Sequence, residues 1–203
     1  MTDPASRSQA VDYDARTALV VVDVQNDFAD PDGNLYVDGG EEVVHAVNRE
    51  IQAAREGGAL VVYTQDWHPE TTPHFEKDGG VWPTHCVQGS WGAQLHPDLA
   101  VVGPVVQKGV DGGDGYSGFS VRDPHSGEES PTDLERILHE HDVERLVVVG
   151  LAQDVCVKET VLDARRLGFD TVVVADATAA VDLEQGDEAR AYEAMENAGA
   201  QVR

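Results

Sequence analysis

Arg145-Leu-Val-Val-Val-Gly-Leu-Ala-Gln-Asp-Val-Cys-Val157 is the stretch whose reading decides the fold. After the leading arginine, the rest of its first five residues run on as an apolar stretch with no polar alternation, the pattern of a strand buried on both faces. Within a few residues the pattern turns helical, over Val155 to Leu167, and Gly168 ends it. Working outward, four more runs of the same kind occur at Ala18–Val22, Ala59–Tyr63, Val101–Gln107 and Thr171–Ala175. Helical patterns lie between them. Glu41 to Glu56 sets Val44, Val47, Ile51 and Ala54 on one face and stops at Gly57-Gly58. Thr132 to His141 opens with Thr132 and Glu135 at capping-box spacing and turns Leu134, Ile137 and Leu138 inward. Asp187 to Asn197 carries Ala189, Tyr192 and Met195 and ends near Gly199, with a weak strand signal at Gln201. Strand and helix in alternation predict an α/β fold: a three-layer, doubly wound, mostly parallel sheet with helices on both faces. Residues 1–15 read as a loose polar tail and 16–203 as a single domain.

Composition narrows the function classes. The chain has 203 residues, 41% of them hydrophobic, enough for one sizeable core. No apolar run is long enough to span a bilayer, and the first residues lack the apolar core of a signal peptide, so a cytoplasmic protein without membrane partners is expected. Asp plus Glu number 38 against 14 Lys plus Arg, a net charge of −24. Such a surface repels phosphate backbones, which argues against nucleic-acid partners. It also suits a salt-rich cytosol, where ions screen the self-repulsion. Lysine occurs only at Lys77, Lys108 and Lys158, so each is less easily read as incidental surface charge. The two cysteines, Cys86 and Cys156, are too few for a disulfide framework, although one bridge stays open.

Ligands of open parallel sheets bind beyond the carboxyl ends of the strands. The polar residues there are Asp23, Asp66, Lys108, Cys156 (reached through Gly150 to Val155) and Asp176. Alone, Asp23 reads as a turn residue, Lys108 as a snorkelling surface lysine and Cys156 as core. An acid, a lysine and a cysteine converging on one sheet edge are more specific than any of them. Asp154 is placed to cap the following helix, which puts Cys156 in its first turn, where backbone N–H groups stabilise a thiolate and an oxyanion. A carboxylate to take the thiol proton and a lysine to keep it ionised complete the machinery of nucleophilic acyl transfer.

Two irregular stretches, Asp66 to Leu99 and Asp111 to Pro131, are long for a compact domain and so draw a functional reading. Within the second, Asp123 to Ser130 reads as a solvated loop. The first holds Asp66, His68, His74 and His85, one carboxylate and three imidazoles, a sensible ligand set for a divalent transition metal; the ligands alone do not separate zinc from iron or manganese. Phe28, Trp82 and Tyr116 could clasp a flat substrate, while Trp67 and Trp91 default to packing.

These residues fall in motifs: Val-Asp-Val-Gln-Asn-Asp-Phe at 22–28, Asp-Trp-His at 66–68, Trp-Pro-Thr-His-Cys at 82–86, Lys-Gly at 108–109, Tyr-Ser-Gly-Phe at 116–119 and Gly-Leu-Ala-Gln-Asp-Val-Cys-Val at 150–157. From about Thr17 to the C-terminus the chain resembles the nicotinamidase/pyrazinamidase branch of the isochorismatase-like cysteine hydrolases. The resemblance implies a triad of Asp23, Lys108 and Cys156, and an oxyanion hole from the N–H groups of Ala152 and Cys156. It implies a cis peptide between Leu151 and Ala152. It implies metal ligation by Asp66, His68 and His74, with His85 as a further ligand or its partner; zinc is the first expectation, iron or manganese the alternatives. Phe28, Trp82, Tyr116 and Gln25 become substrate-binding candidates. The implied substrate is a small aromatic amide, nicotinamide, and the implied role NAD salvage; homo-oligomerisation is left open. Gln153 departs from the family pattern, where threonine is commoner, and the loop from Lys108 to Tyr116 is slightly long. Two other readings stay in play: a metal-independent ureido or N-carbamoyl amidohydrolase, and a non-catalytic binding protein on the same fold.

Overall fold

The computed structural model describes residues 11–203. Its frame is a six-stranded sheet built from the apolar runs: β1 (Thr17–Val22), β2 (Leu60–Asp66), β3 (Val105–Lys108), β6 (Arg145–Leu151), β7 (Asp170–Ala179) and β8 (Gln201–Val202). The order is β3-β2-β1-β6-β7-β8, and every neighbouring pair is parallel. A short antiparallel hairpin, β4 (Ser120–Arg122) with β5 (Glu129–Pro131), stands apart.

Successive side chains of a strand point to opposite faces, so a run of apolar residues feeds two cores at once. In β1, Leu19 and Val21 join one cluster and Ala18, Val20 and Val22 the other. In β6, Val147 and Val149 face the first, Leu146 and Val148 the second. After a short α1 (Asn26–Ala29), helix α2 (Gly40–Glu56) covers the first face with Val43, Val44, Val47, Ile51 and Ala54. Helices α3 (Leu134–Glu140), α4 (Lys158–Arg166) and α5 (Asp187–Asn197) cover the second with Leu134, Leu138, Val161, Ala164 and Met195. The three layers and both helical faces are as the sequence predicts.

Several local expectations are corrected. The third strand starts at Val105, not Val101: Pro104 has no N–H for a ladder, and Gly103 lies so close to Val61 O that a Cβ would come within 1.9 Å of it. Thr132 does not bond the N–H of Glu135; its hydroxyl accepts from Leu134 N at 3.2 Å and donates to Gly118 O at 2.6 Å. Of the expected N-terminal tail, residues 1–10 lie outside the described residues. Val11 and Tyr13 pack against the first core cluster, and Tyr13 Oη donates to Glu50 at 2.6 Å, so the packed body reaches back before residue 16. Both cysteines are free and buried. Two of the three lysines are half-exposed and ion-paired with a chain neighbour, Lys77 with Asp78 and Lys158 with Glu159; the third is buried. No helix among the described residues is long and apolar enough to cross a membrane.

Candidate active site

The strand order reverses between β1 and β6, and a crevice forms outside their carboxyl ends at such a switch point. Asp23 follows directly on β1, with a left-handed φ of +48° that turns the chain sharply at the sheet edge. Beside it β6 continues through Gly150, where φ is +111° and a Cβ would come within 2.1 Å of Val22 O; only glycine lets the two strands approach there. The Leu151–Ala152 peptide is cis. A five-residue π-turn, Gln153–Val157, then carries Cys156 and leads into α4. Asp154 is not the cap of this turn. Its carboxylate reaches instead to the loop after β7, accepting from Val181 N and Asp182 N, both at 2.9 Å.

Lys108, at the tip of β3, brings the strand tips together. Its ammonium lies 2.7 Å from Asp23 Oδ2, 2.5 Å from Asp66 Oδ1 and 3.9 Å from Cys156 Sγ, and it also donates to Gly115 O. Asp23, Asp66 and Cys156 place one ligand atom each within 4.8 Å of one another, and all are buried. That trio could be mistaken for a metal site, but the lysine ammonium already sits as its cation. Thr64 Oγ1 donates to the other Asp23 oxygen at 2.7 Å.

The electrostatics follow from one ammonium serving two buried carboxylates. Burial raises the Asp23 carboxyl to about 6, against the pull of Lys108 and helped by the charge on Asp66. Asp66 is also penalised by burial, yet Lys108 with His68 and His85 holds it well below the usual carboxylate range. Burial works against the Lys108 ammonium, but the two carboxylates outweigh it and keep the charge in place. Burial pushes the Cys156 thiol up, only partly offset by Lys108, so the resting group is a thiol with a carboxylate beside it.

Against Asp66 lies the histidine cluster. One ring nitrogen each of His68, His74 and His85 lies within 4.8 Å of the others. Asp66 Oδ2 is 3.7 Å from His68 Nε2 and 3.9 Å from His85 Nε2, distances that leave room between the groups. Both ring nitrogens of His68 are buried without a hydrogen-bond partner, an expensive arrangement for a core histidine. His85 Nδ1 donates to Pro83 O at 2.7 Å, which leaves the lone pair on Nε2. Burial lowers His85 to about 4 and also lowers His74, keeping their rings neutral as metal ligation requires. The donor set fits a divalent metal.

A pocket of roughly 410 Å³ of empty space, counting its open mouth, joins the two groups. Its lining includes Cys156 and Ala152 from the one group and Asp66, His74 and His85 from the other; Phe28, Leu35, Trp82, Tyr116, Val155 and Val181 supply apolar walls. Trp82 Nε1 donates to Tyr116 Oη at 2.9 Å, tying two walls together.

A model of the isochorismatase domain matches residues 17–203, nearly the whole chain. The chain belongs to the isochorismatase family. Among isochorismatase relatives, the nicotinamidase of Escherichia coli (strain K12) is 39% identical over 201 residues, covering 90% of this chain and 92% of that protein. PnC1 from L. infantum, solved in complex with nicotinate, superposes with a TM-score of 0.86 at 37% identity, covering 96% of each chain. The pyrazinamidase of Pyrococcus horikoshii, solved in complex with zinc, superposes with a TM-score of 0.82 at 38% identity, covering 93% of this chain and 98% of that one.

Not every candidate reaches the pocket of this isochorismatase-family site. Gln25 is fully buried and spends its amide on backbone: Nε2 donates to Asp66 O and Ala93 O, and Oε1 accepts from Asp66 N at 2.8 Å. It fixes Asp66 rather than lining the pocket. Asp176 lies within β7, exposed, and does not line the pocket. Gln153 is buried and donates to Glu188 O at 3.3 Å, leaving Oε1 without a partner. Sequence reasoning missed Thr64, Asp27 and Asp114. Asp27 is buried and accepts from Cys86 N at 2.6 Å and Asn34 N at 2.9 Å, holding together segments that carry Phe28, Leu35 and His85. Thr64 had one available signal, a place two residues before Asp66 on the same strand face; Asp27 stands inside the motif at 22–28, while the His74 partner of Asp114 is 40 residues away and leaves none.

Proposed function

We propose that this isochorismatase-family chain is a nicotinamidase, hydrolysing nicotinamide to nicotinate and ammonia through a thioester on Cys156. One observation carries the reading: the thiol, carboxylate and ammonium of Cys156, Asp23 and Lys108 meet a buried three-histidine cluster beside one largely apolar-walled pocket. Asp66, His68 and His74 would hold a divalent metal, with His85 as a further ligand or partner; zinc suits these nitrogen and oxygen donors, with iron and manganese as alternatives. When bound, the metal supplies a Lewis acid for the pyridine nitrogen and so a preference for heteroaromatic amides.

The remaining work falls to the chain. Phe28 and Trp82 hold the ring between them, with Tyr116 beside Trp82. Asp23, kept ionised by Lys108, takes the proton of Cys156 as the sulfur attacks the carboxamide carbon. The N–H groups of Ala152 and Cys156 stabilise the oxyanion. As the C–N bond breaks, the proton passes from Asp23 to the departing nitrogen and ammonia leaves. Water then adds to the acyl carbon, giving a proton to Asp23. Rupture of the C–S bond releases nicotinic acid, which gives its proton to solvent to become nicotinate, and the proton on Asp23 returns to sulfur. One domain houses all of these groups.

The test is ammonia release from nicotinamide and from an N-carbamoyl amino acid, side by side, with and without chelator. Turnover of nicotinamide that chelation abolishes is the expected result. Release from the carbamoyl substrate alone, indifferent to chelator, would overturn the assignment in favour of a ureido amidohydrolase.

A further inference from the structure

Three consecutive residues on the loop after β3 each touch a different part of the site. Asp114 Oδ1 lies 2.7 Å from His74 Nδ1, Gly115 O accepts from the Lys108 ammonium, and Tyr116 Oη accepts from Trp82 Nε1. Gly115 and Tyr116 are explained by the triad and the pocket wall. Asp114 is not, because the proposed chemistry gives it no step.

Its backbone is fixed on both sides. Asp114 N donates to Arg122 O at 2.7 Å and its carbonyl accepts from Arg122 N at 2.9 Å, which fastens it to the turn end of the β4–β5 hairpin. Thr72 Oγ1 donates to Gly112 O at 2.7 Å, pinning the loop to the segment that carries His74. At Gly113 a Cβ would come within 2.5 Å of Val121 Cγ1, so the loop is packed tightly against the hairpin. A carboxylate so held is an acceptor only, and it dictates that the proton of the His74 ring sits on Nδ1. The lone pair is then on Nε2, the ring atom left to serve the cluster with His68 and His85.

We propose that Asp114 is a positioning residue for His74: it fixes the ring's tautomer and orientation, and thereby sets the affinity of the histidine cluster for its divalent metal. The affinity part rests on the metal reading above. Outer partners of ligating histidines commonly contribute 10–100-fold to metal affinity.

The test measures zinc affinity of purified full-length protein by competition with a chromophoric chelator, for wild type, Asp114→Ala, Asp114→Asn and, as a charge-matched control on the same loop, Asp111→Ala. Thermal melts establish that each variant is folded. Asp114→Ala should bind zinc about 10–100-fold more weakly. Asn retains an acceptor for Nδ1–H and should lose less, which also keeps the test open should the alanine variant not fold. Asp111→Ala, whose side chain is exposed, should match wild type. In the metal-free proteins, ¹⁵N shifts of the His74 ring should report the Nδ1–H tautomer in wild type and its loss in Asp114→Ala. A folded Asp114→Ala that binds zinc within twofold of wild type, an equal loss in Asp111→Ala, or an unchanged tautomer would overturn the proposal. A wild type that takes up no zinc would instead sink the metal reading and the affinity claim with it, and the nitrogen shifts would still decide the tautomer.

Discussion

Replacing Lys108 with methionine keeps most of the side-chain volume and removes the one positive charge between Asp23 and Asp66. Their oxygens lie within 4.8 Å of one another in a buried site. At an effective dielectric of about 20, two unit charges at that separation repel by about 3.5 kcal/mol. Removing one partner of a buried ion pair costs about 3–5 kcal/mol by itself. The loss at pH 8 should therefore be about 3–5 kcal/mol, and it should depend on pH with a definite sign. Asp23 in the folded wild type already sits at about 6, above its value in an unfolded chain. Without the ammonium it rises further. A carboxyl raised by folding favours the folded state at low pH and loses that contribution as pH climbs through its folded value. Between pH 6 and 8 the deficit of the variant should widen by about 1.4 kcal/mol per unit, so by up to about 3 kcal/mol. Denaturant unfolding of wild type and Lys108→Met at pH 5, 6, 7 and 8, with metal removed from both, gives the four differences directly. A deficit below about 1 kcal/mol, or one that stays constant across that range, would refute the view that this ammonium holds two buried carboxylates ionised.

Cys156→Ala should lower ammonia release from nicotinamide by several orders of magnitude with little change in melting temperature; retention of a tenth of the activity would exclude the thioester route. The pH profile of kcat/KM should fall on the acid side as Asp23 takes up a proton near 6, approaching tenfold per pH unit, and a profile flat from pH 5 to 8 would remove Asp23 as the base. His68→Ala should strip the metal measured by elemental analysis, since this ring has no other buried partner; full metal content in the variant would refute its role. Gly150→Ala should destabilise by about 3 kcal/mol or more, because its Cβ would lie 2.1 Å from Val22 O at a positive φ, and a wild-type melting curve would contradict the close approach.

The central strands were legible because burial on both faces leaves an unbroken apolar run, as in Ala18 to Val22. Their polar ends were less so. β2 runs on through Thr64, Gln65 and Asp66 because the ladder to Val106, Gln107 and Lys108 continues there, and hydrophobicity carries no trace of that pairing. Asp23, Lys108 and Cys156 could be grouped in advance because parallel topology fixes where strand tips must meet. Asp154 was misread as a cap because its partners, Val181 and Asp182, lie 27 and 28 residues away. Gln25 sits in the same motif as Asp23 and Phe28, and nothing in the sequence shows that its amide turns toward the backbone of Asp66 and Ala93.

Of the groups proposed to react, Asp23 and Cys156 follow on the two innermost strands, next to the reversal in strand order, and Lys108 ends the edge strand β3, whereas the pocket walls Leu35, Trp82, Tyr116 and Val181 come from connecting segments outside every strand. Selection can therefore redraw which amide is admitted, by drift in the connectors, while the reacting atoms stay where the architecture anchors them. Libraries that randomise those four walls should yield new specificities at little cost in fold, and libraries aimed at the strand tips should yield inactive protein.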